Sequence, residues 1–397
     1  MKKLLYLFLA FASFGISAQT TAEDFNQLGT EKVELEDYSG AIADYTKAIE
    51  IDSNAVAAYV GRGDSKDDLE DHNGAIADFT KAIELDSNAV EAYVGRGDSK
   101  DDLEDYNGAI ADYSKAIELD PNNAQAYFLR GYSKGNLEDY NGAIADYNKA
   151  IEIDPDYSRA YHIRGISKKN LEDYNGAIAD YTKAIEIDPN DADAYYNRGL
   201  SKGNLDDFNG AIADFTKAIE LDPNDADTYY SRGLSKFIVD DYNGAIADYS
   251  KAIELDPNNA NTYYNRGSLK QGLEDYSGAI EDYNKAIELD PNHADTYYNR
   301  GSLKQDLEDH KGAIADLTKA IELDPNDADT YYLRGLSKAS LDDYNGAIAD
   351  YNKAIELDPN NAYAYYFRGY SKGFLEDYSG AMADFTKAIE LDPDYVY

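Results

Sequence analysis

The chain has 397 residues, 77 of them acidic against 37 basic, and a formal net charge of −40; this disfavours a nucleic-acid partner, because phosphates require clustered Lys and Arg. The absence of cysteine excludes disulfides, thiol catalysis and lipid attachment to a cysteine. A hydrophobic content of 43% in strict register argues against disorder.

Reading from the N-terminus, Lys2 and Lys3 precede an uncharged stretch from Leu4 to Gly15, and Ile16-Ser17-Ala18 stands before Gln19. This pattern predicts a secretory signal peptide over 1–18, cleaved after Ala18. The apolar run is shorter than the roughly 20 residues of a membrane span, so no span is expected in the mature chain, although retention as an anchor stays open. Cleavage removes two lysines and no acid, taking the charge from −40 to −42. Residues 19–21 read as a short linker.

From residue 22 a 34-residue unit repeats without insertion or deletion up to residue 395. Gly40-Ala41-Ile42 opens a series that returns at Gly74, Gly108, Gly142, Gly176, Gly210, Gly244, Gly278, Gly312 and Gly346 and closes on Gly380-Ala381-Met382. Within a unit, residues such as Tyr195, Gly199 and Leu205, then Ala211, Ile212, Phe215, Ala218 and Ile219, fall on one face of two successive helices. All nine prolines sit at position 32 of the unit, where they stop the second helix. The Asn or Asp that follows caps the next first helix. Two short helices cannot bury a core alone, whereas stacked neighbours can. The period therefore overrides the two or three domains that length suggests and predicts one array over 22–395, with 396–397 as a tail.

Counted from residue 22, the unit carries an aromatic at position 4, Gly at 8, Ala at 20, usually an aromatic at 24, Ala at 27 and usually Pro at 32. These residues resemble the tetratricopeptide repeat (TPR) family across 22–395. The resemblance implies an all-α, right-handed superhelical solenoid of eleven helix-turn-helix units. Three positions depart from the family: position 7 is Arg from Arg62 to Arg368, position 11 is always Lys, and position 23 is always Asp, from Asp44 to Asp384. Either Arg and Asp pair between the helices or both are solvated charges.

No catalytic, cofactor or metal site is expected. Gly131–Gly135, Gly199–Gly203 and Gly369–Gly373 match Gly-x-Ser-x-Gly, but each Ser lies within a predicted helix and not on the strained strand-to-helix turn that the motif needs. The Ser at position 10 reads as a small packing residue. His72 and His310 replace the Tyr of position 17 and read as packing substitutes, and no two histidines have metal-ligand spacing. The Asp-rich loops lack the Gly and Glu of a calcium loop.

Variation between units is concentrated at positions 2, 5, 6, 9, 12 and 13, and all of these but 6 share one face of the first helix. In the TPR family that face lines the groove where peptides or partner helices dock; neutral drift on a solvated face is the alternative. Position 5 supplies Tyr196, Tyr230, Tyr264, Tyr298, Tyr332 and Tyr366, expected as an exposed row suited to recognition, with Asn197, Asn265 and Asn299 beside it at position 6. Asp64, Asp67, Asp68, Asp98, Asp101 and Asp102 make an acidic patch expected to attract a basic segment of a partner. A Lys clamp for C-terminal carboxylates is not recognisable, since position 5 is never Lys.

Leu28 and Glu31 make the first unit atypical and suited to capping. At the other end Phe385, Ile389 and Leu391 are expected to be partly exposed under a minimal lid of Tyr395, Val396 and Tyr397, which invites end-to-end self-association. The sequence thus reads as an exported, non-enzymatic scaffold binding protein or peptide partners, in the periplasm, at the cell surface or secreted. A self-associating structural element, or glycan and peptidoglycan binding by the tyrosine row, remain as alternatives.

Overall fold

The computed structural model describes residues 20–393. The expected leader 1–18 and the lid of Tyr395, Val396 and Tyr397 lie outside them. Twenty-two α-helices and no strand occur among the described residues, arranged as eleven successive pairs in which a first helix of 12 or 13 residues precedes a second of 14. The fourth pair, Ala124–Asn136 and Tyr140–Ile153, is representative. The chain falls into two compact units, one ending at Ser201 and one beginning at Lys202, a division inside the helix Ala192–Gly203. No described helix is long and apolar enough to cross a membrane.

Each helix boundary has a residue-level cause. The second helix starts where the Asp at position 16 accepts a hydrogen bond from the Gly at position 19, as Gly142 N–H donates to Asp139 Oδ1 at 3.0 Å. Gly leaves room for this cap: a Cβ on Gly142 would lie 2.0 Å from the Asp139 carboxylate and push it aside. First helices are capped as expected by position 34 where it is Asn or Asp, with Asn123 accepting from Ala126 N–H at 2.9 Å, but Ala55, Ala89 and Tyr157 offer no side-chain cap. Thr21 and Asp24 form a reciprocal capping box at the first helix.

The first helix ends in a way the sequence does not announce. In all eleven repeats position 15 is left-handed although it is Glu or Asp, with φ from 58° to 64°. In repeat 4, Asp139 N–H reaches back to Lys134 O and Glu138 N–H to Gly135 O, each at 2.9 Å, the paired bonds of a Schellman turn. Gly is the residue that this conformation favours, since a Cβ there crowds the backbone. Glu138→Gly is therefore expected to stabilise the fourth repeat by about 1 kcal/mol, read as a higher urea midpoint for loss of helicity.

The core repeats with the helices. Ala143 and Ala150 are fully buried, and Tyr147 between them fills the space over the first helix. Position 8 must be Gly for that ring to lie flat: a Cβ on Gly131 would stand 2.7 Å from Tyr147 Cε1.

Between the helices, Arg and Asp pair, and a third member joins them. Asp146 is only 4% exposed. It accepts from Arg130 Nε at 2.9 Å and Nη2 at 2.6 Å, and from Lys134 Nζ at 2.7 Å. Arg130 Nη1 donates at 3.1 Å to Ser114 of the preceding repeat, and the guanidinium lies 5.6 Å from the centre of the Tyr127 ring. The arrangement recurs from Arg62–Asp78 to Arg164–Asp180 in the N-terminal unit and from Arg232–Asp248 to Arg368–Asp384 in the C-terminal unit. Position 7 is thus a half-buried cation stapling adjacent repeats, and the alternative of solvated charges is excluded. At Asp384 burial raises the carboxyl pKa, but the hydrogen bonds from Arg368 and Lys372 outweigh it and hold the group below its usual value.

Candidate functional site

The variable face of the first helices differs between the two compact units. In the C-terminal unit the position-5 tyrosines do not form an exposed row. Each is half-buried, and so is Tyr196 in the N-terminal unit. Tyr230 packs on Tyr249 with ring centres 5.8 Å apart, Tyr264 on Tyr283 at 6.3 Å, and Tyr332 on Tyr351 at 6.2 Å. Tyr366 meets Phe385 at 5.5 Å. Burial pushes the Tyr264 and Tyr298 phenols above their usual pKa. Helical spacing placed these residues on the right face but not at the right depth, because the small Gly at position 8 lets the second-helix ring rise to meet them.

The asparagines serve the same internal ladder. Asn265 Nδ2 donates to Tyr230 OH at 3.1 Å and Asn299 Nδ2 to Tyr264 OH at 3.2 Å. Asn197 donates to Asp193 O at 2.9 Å and accepts from Lys169 Nζ at 2.8 Å. These amides tie neighbouring repeats together, which leaves them less free for a ligand backbone.

What the C-terminal unit does present on this face comes from positions 9, 12 and 13, which were noted as variable but not singled out as apolar. In repeat 7 Leu234, Phe237 and Ile238 are exposed, Phe237 by 44%. A hollow of about 230 Å³ lies beside Phe237 and Tyr242, closed by Leu269 and Leu273. In repeat 11 Phe374 is 53% exposed, stacks on Tyr344 at 4.7 Å and 6°, and abuts Tyr370. On the last described helix Tyr378, Met382 and Ile389 are also open, Met382 by 71%.

The acidic patch belongs to the N-terminal unit, and its six aspartates are not equivalent. Asp67 accepts from Ser99 Oγ at 2.6 Å and lies 2.9 Å from His72 Nδ1. Asp98 accepts from Tyr113 OH at 2.7 Å, and Asp101 from Ser133 Oγ. Asp102 is exposed and stands 3.7 Å from His72 Nδ1. Asp64 is reached by solvent yet ringed by protein, and its carboxyl is pushed up to about 7 by burial first and then by Asp68, Asp67 and Asp98. The Asp98 carboxyl rises to about 6, again chiefly through burial. The Asp68 carboxyl is raised by burial and by Asp67.

His72 differs from its reading as a packing substitute. It bridges Asp67 and Asp102, and its pKa is raised by the hydrogen bond to Asp67. Asp67, His72 and Asp102 bring one ligand atom each within 4.8 Å of one another, a group able to hold a small cation. The direct Nδ1–Oδ1 contact already satisfies two of those atoms. His162 also has a partner, Asp191 at 2.8 Å, and lies edge-on to Tyr181.

The serines of the Gly-x-Ser-x-Gly matches are buried inside first helices. Ser133, Ser201 and Ser371 donate to the carbonyls four residues back at 3.2, 2.9 and 2.9 Å, the packing role expected of position 10.

Comparison with known proteins agrees with the helix-pair period. A family model described as tetratricopeptide repeat matches 124–157, 192–225, 294–327 and 328–361. A second with that description matches 25–54, 56–88 and 362–395. A third, described as TPR repeat, matches 102–137, 167–206, 240–274 and 272–307. Among solved structures, one of MamA is 32% identical, covering 41% of this chain and 95% of its own, with a TM-score of 0.40. YrrB, described as a TPR protein with an unusual peptide-binding site, is 31% identical over 46% of this chain and 93% of its own, with a TM-score of 0.43. Yeast Tom70 is 18% identical over 93% and 92%, with a TM-score of 0.39. No curated protein sequence matches the chain.

Proposed function

Because the chain belongs to the tetratricopeptide repeat family, we propose that it is a non-enzymatic scaffold that binds protein or peptide partners on the variable face of its first helices. The observation that carries this reading is the exposure of Leu234, Phe237, Ile238, Tyr370 and Phe374 on that face. Most other positions of the repeat barely vary between units, so these side chains are where the repeats differ in what they offer a partner. Large apolar side chains left open at variable positions mark interaction surfaces.

The half-buried tyrosine ladder makes a poor mutational probe, since removing those rings would open the core. The exposed residues are better. Phe237→Ser with Phe374→Ser is expected to leave helicity intact and to reduce capture of partners from an envelope extract by about tenfold or more. Equal capture by the variant and by the unmodified chain 19–397 would sink the binding reading for this face.

Export through residues 1–18 is part of the proposal. It rests on the Lys2-Lys3 start, the apolar run and the small residues before Gln19. Protein recovered from the native cell is expected to begin at Gln19; an intact Met1 start would contradict cleavage.

A further inference from the structure

We propose that a hollow over repeats 1 to 3 is a socket for a lysine or arginine side chain of a partner peptide, flanked in that peptide by apolar residues. The proposal rests on the scaffold reading above and names the chemistry of one place on it.

The hollow exists because a ring is missing. In the C-terminal unit a tyrosine at position 5 covers the aromatic at position 24, as Tyr230 covers Tyr249. Repeats 1 and 2 have Asn26 and Val60 at that position, and Gly61 follows. Neither carries a ring into the space between the first helices, although Tyr45 itself stays buried against Gly29 and Gly61. A hollow of about 650 Å³ opens there, with Val33, Val56 and Val60 as apolar lining beside Tyr45. Gly61 keeps the floor low, since a Cβ there would stand 2.5 Å from Tyr45 Cζ.

The rim has one sign. Asp64, Asp86 and Glu91 line the hollow, and no Lys, Arg or His does so among the described residues. Asp86 follows the C-terminus of His72–Leu85, the negative end of that helix dipole. Asp67 on the helix of Asp64, Asp68 at its C-cap and Asp98 on the next first helix add further negative charge. Asn26, which also lines the hollow, keeps Oδ1 buried without a hydrogen-bond partner. An apolar floor under an anionic rim suits a side chain with an aliphatic stem and a cationic head. An acidic side chain would meet like charge, and a purely apolar one would strand the rim carboxylates and Asn26 Oδ1.

Asp64 also couples occupancy to pH. Burial first, and then the charges of Asp68, Asp67 and Asp98, raise its carboxyl to about 7; Asp86, Glu91 and the Tyr45 phenol line the same hollow, and His72 is paired with Asp67. A cation favours the ionised form, so binding expels a proton when the pH is near or below that value. Affinity for the cationic peptide therefore rises as pH increases through about 7.

The test is fluorescence anisotropy of full chain 19–397 with a labelled Gly-Ser-Leu-Lys-Leu-Gly-Ser amide. Its Nε-acetyl-lysine form removes only the charge. The lysine peptide is expected to bind, and acetylation to weaken it by at least about tenfold. Asp64→Asn should cause a similar loss and shrink the gain in affinity between about pH 7 and about pH 8, leaving only the part due to Asp98 and His72 at lower pH. Val60→Tyr should refill the hollow and abolish binding while helicity is retained, which guards against a misfolded Asp64 variant. Equal binding of the acetylated peptide, indifference to both substitutions, or no binding of the lysine peptide would each overturn the socket. None of these touches the capture experiment on Phe237 and Phe374, so the two readings fail separately.

Discussion

Asp146→Ala is expected to destabilise the chain by about 3 kcal/mol, with loss of helicity beginning at repeats 3 and 4. The side chain is buried and holds both Arg130 and Lys134. Removing it leaves two cations only 19% and 22% exposed without their counter-ion. The staple from Arg130 to Ser114 would be lost with it, which weakens the contact between repeats 3 and 4. A surface pair would be worth only about 0–1 kcal/mol, so the size of the loss separates the two situations. The double variant Arg130→Met with Asp146→Leu should recover most of the stability, because an apolar pair closer in volume replaces a buried ion pair at little cost. Lys134 can then turn to solvent. Urea unfolding followed by circular dichroism reads both; a single variant within about 0.5 kcal/mol of the parent would refute a structural role for the triad.

Gly131→Ala and Gly135→Ala should act in opposite directions although they are one helical turn apart. At Gly131 the new methyl would enter the face of Tyr147, which is fully buried and cannot retreat. The expected cost is about 3 kcal/mol, at the upper end for overpacking. At Gly135 the nearest atom is Tyr147 OH at 3.8 Å, an ordinary contact. There the gain in helix propensity, up to about 1 kcal/mol, should dominate. Matching urea midpoints for the two variants would mean that the ring does not lie against position 8.

The helix pairs were legible because Gly-Ala-Ile and the Pro of position 32 punctuate them at a constant interval, and because helical spacing of apolar residues needs no tertiary information. The Arg-to-Asp pairing was legible as one of two alternatives. The choice between them was not, since burial of position 23 depends on how closely the two helices approach. The third member, Lys at position 11, went unseen for the same reason. The left-handed residue at position 15 gave little signal: Glu, as in Glu138, is not a residue type that announces a turn of this kind, and the paired backbone bonds impose it.

The candidate site was legible in outline only. Spacing put Tyr230, Tyr264 and the aspartates of repeats 2 and 3 on the first-helix face. Depth depends on what stands behind each position. A ring at position 24 draws the position-5 tyrosines inward, while Asn26 and Val60, which carry no ring at position 5, line a hollow. His72 was read as filling space because it replaces Tyr, whereas Asp67 and Asp102 beside it are peculiar to its surroundings and give it a charged role.

The central claim is that partners engage the variable face of the first helices and no other surface. A photoreactive amino acid placed singly at Phe237, at Phe374 and, as controls, at Lys251 and Lys387 on the second helices tests it in the native cell. The account predicts discrete adducts with the same partner from positions 237 and 374 and none from 251 and 387. Adducts confined to 251 and 387, or formed equally at all four, would contradict it.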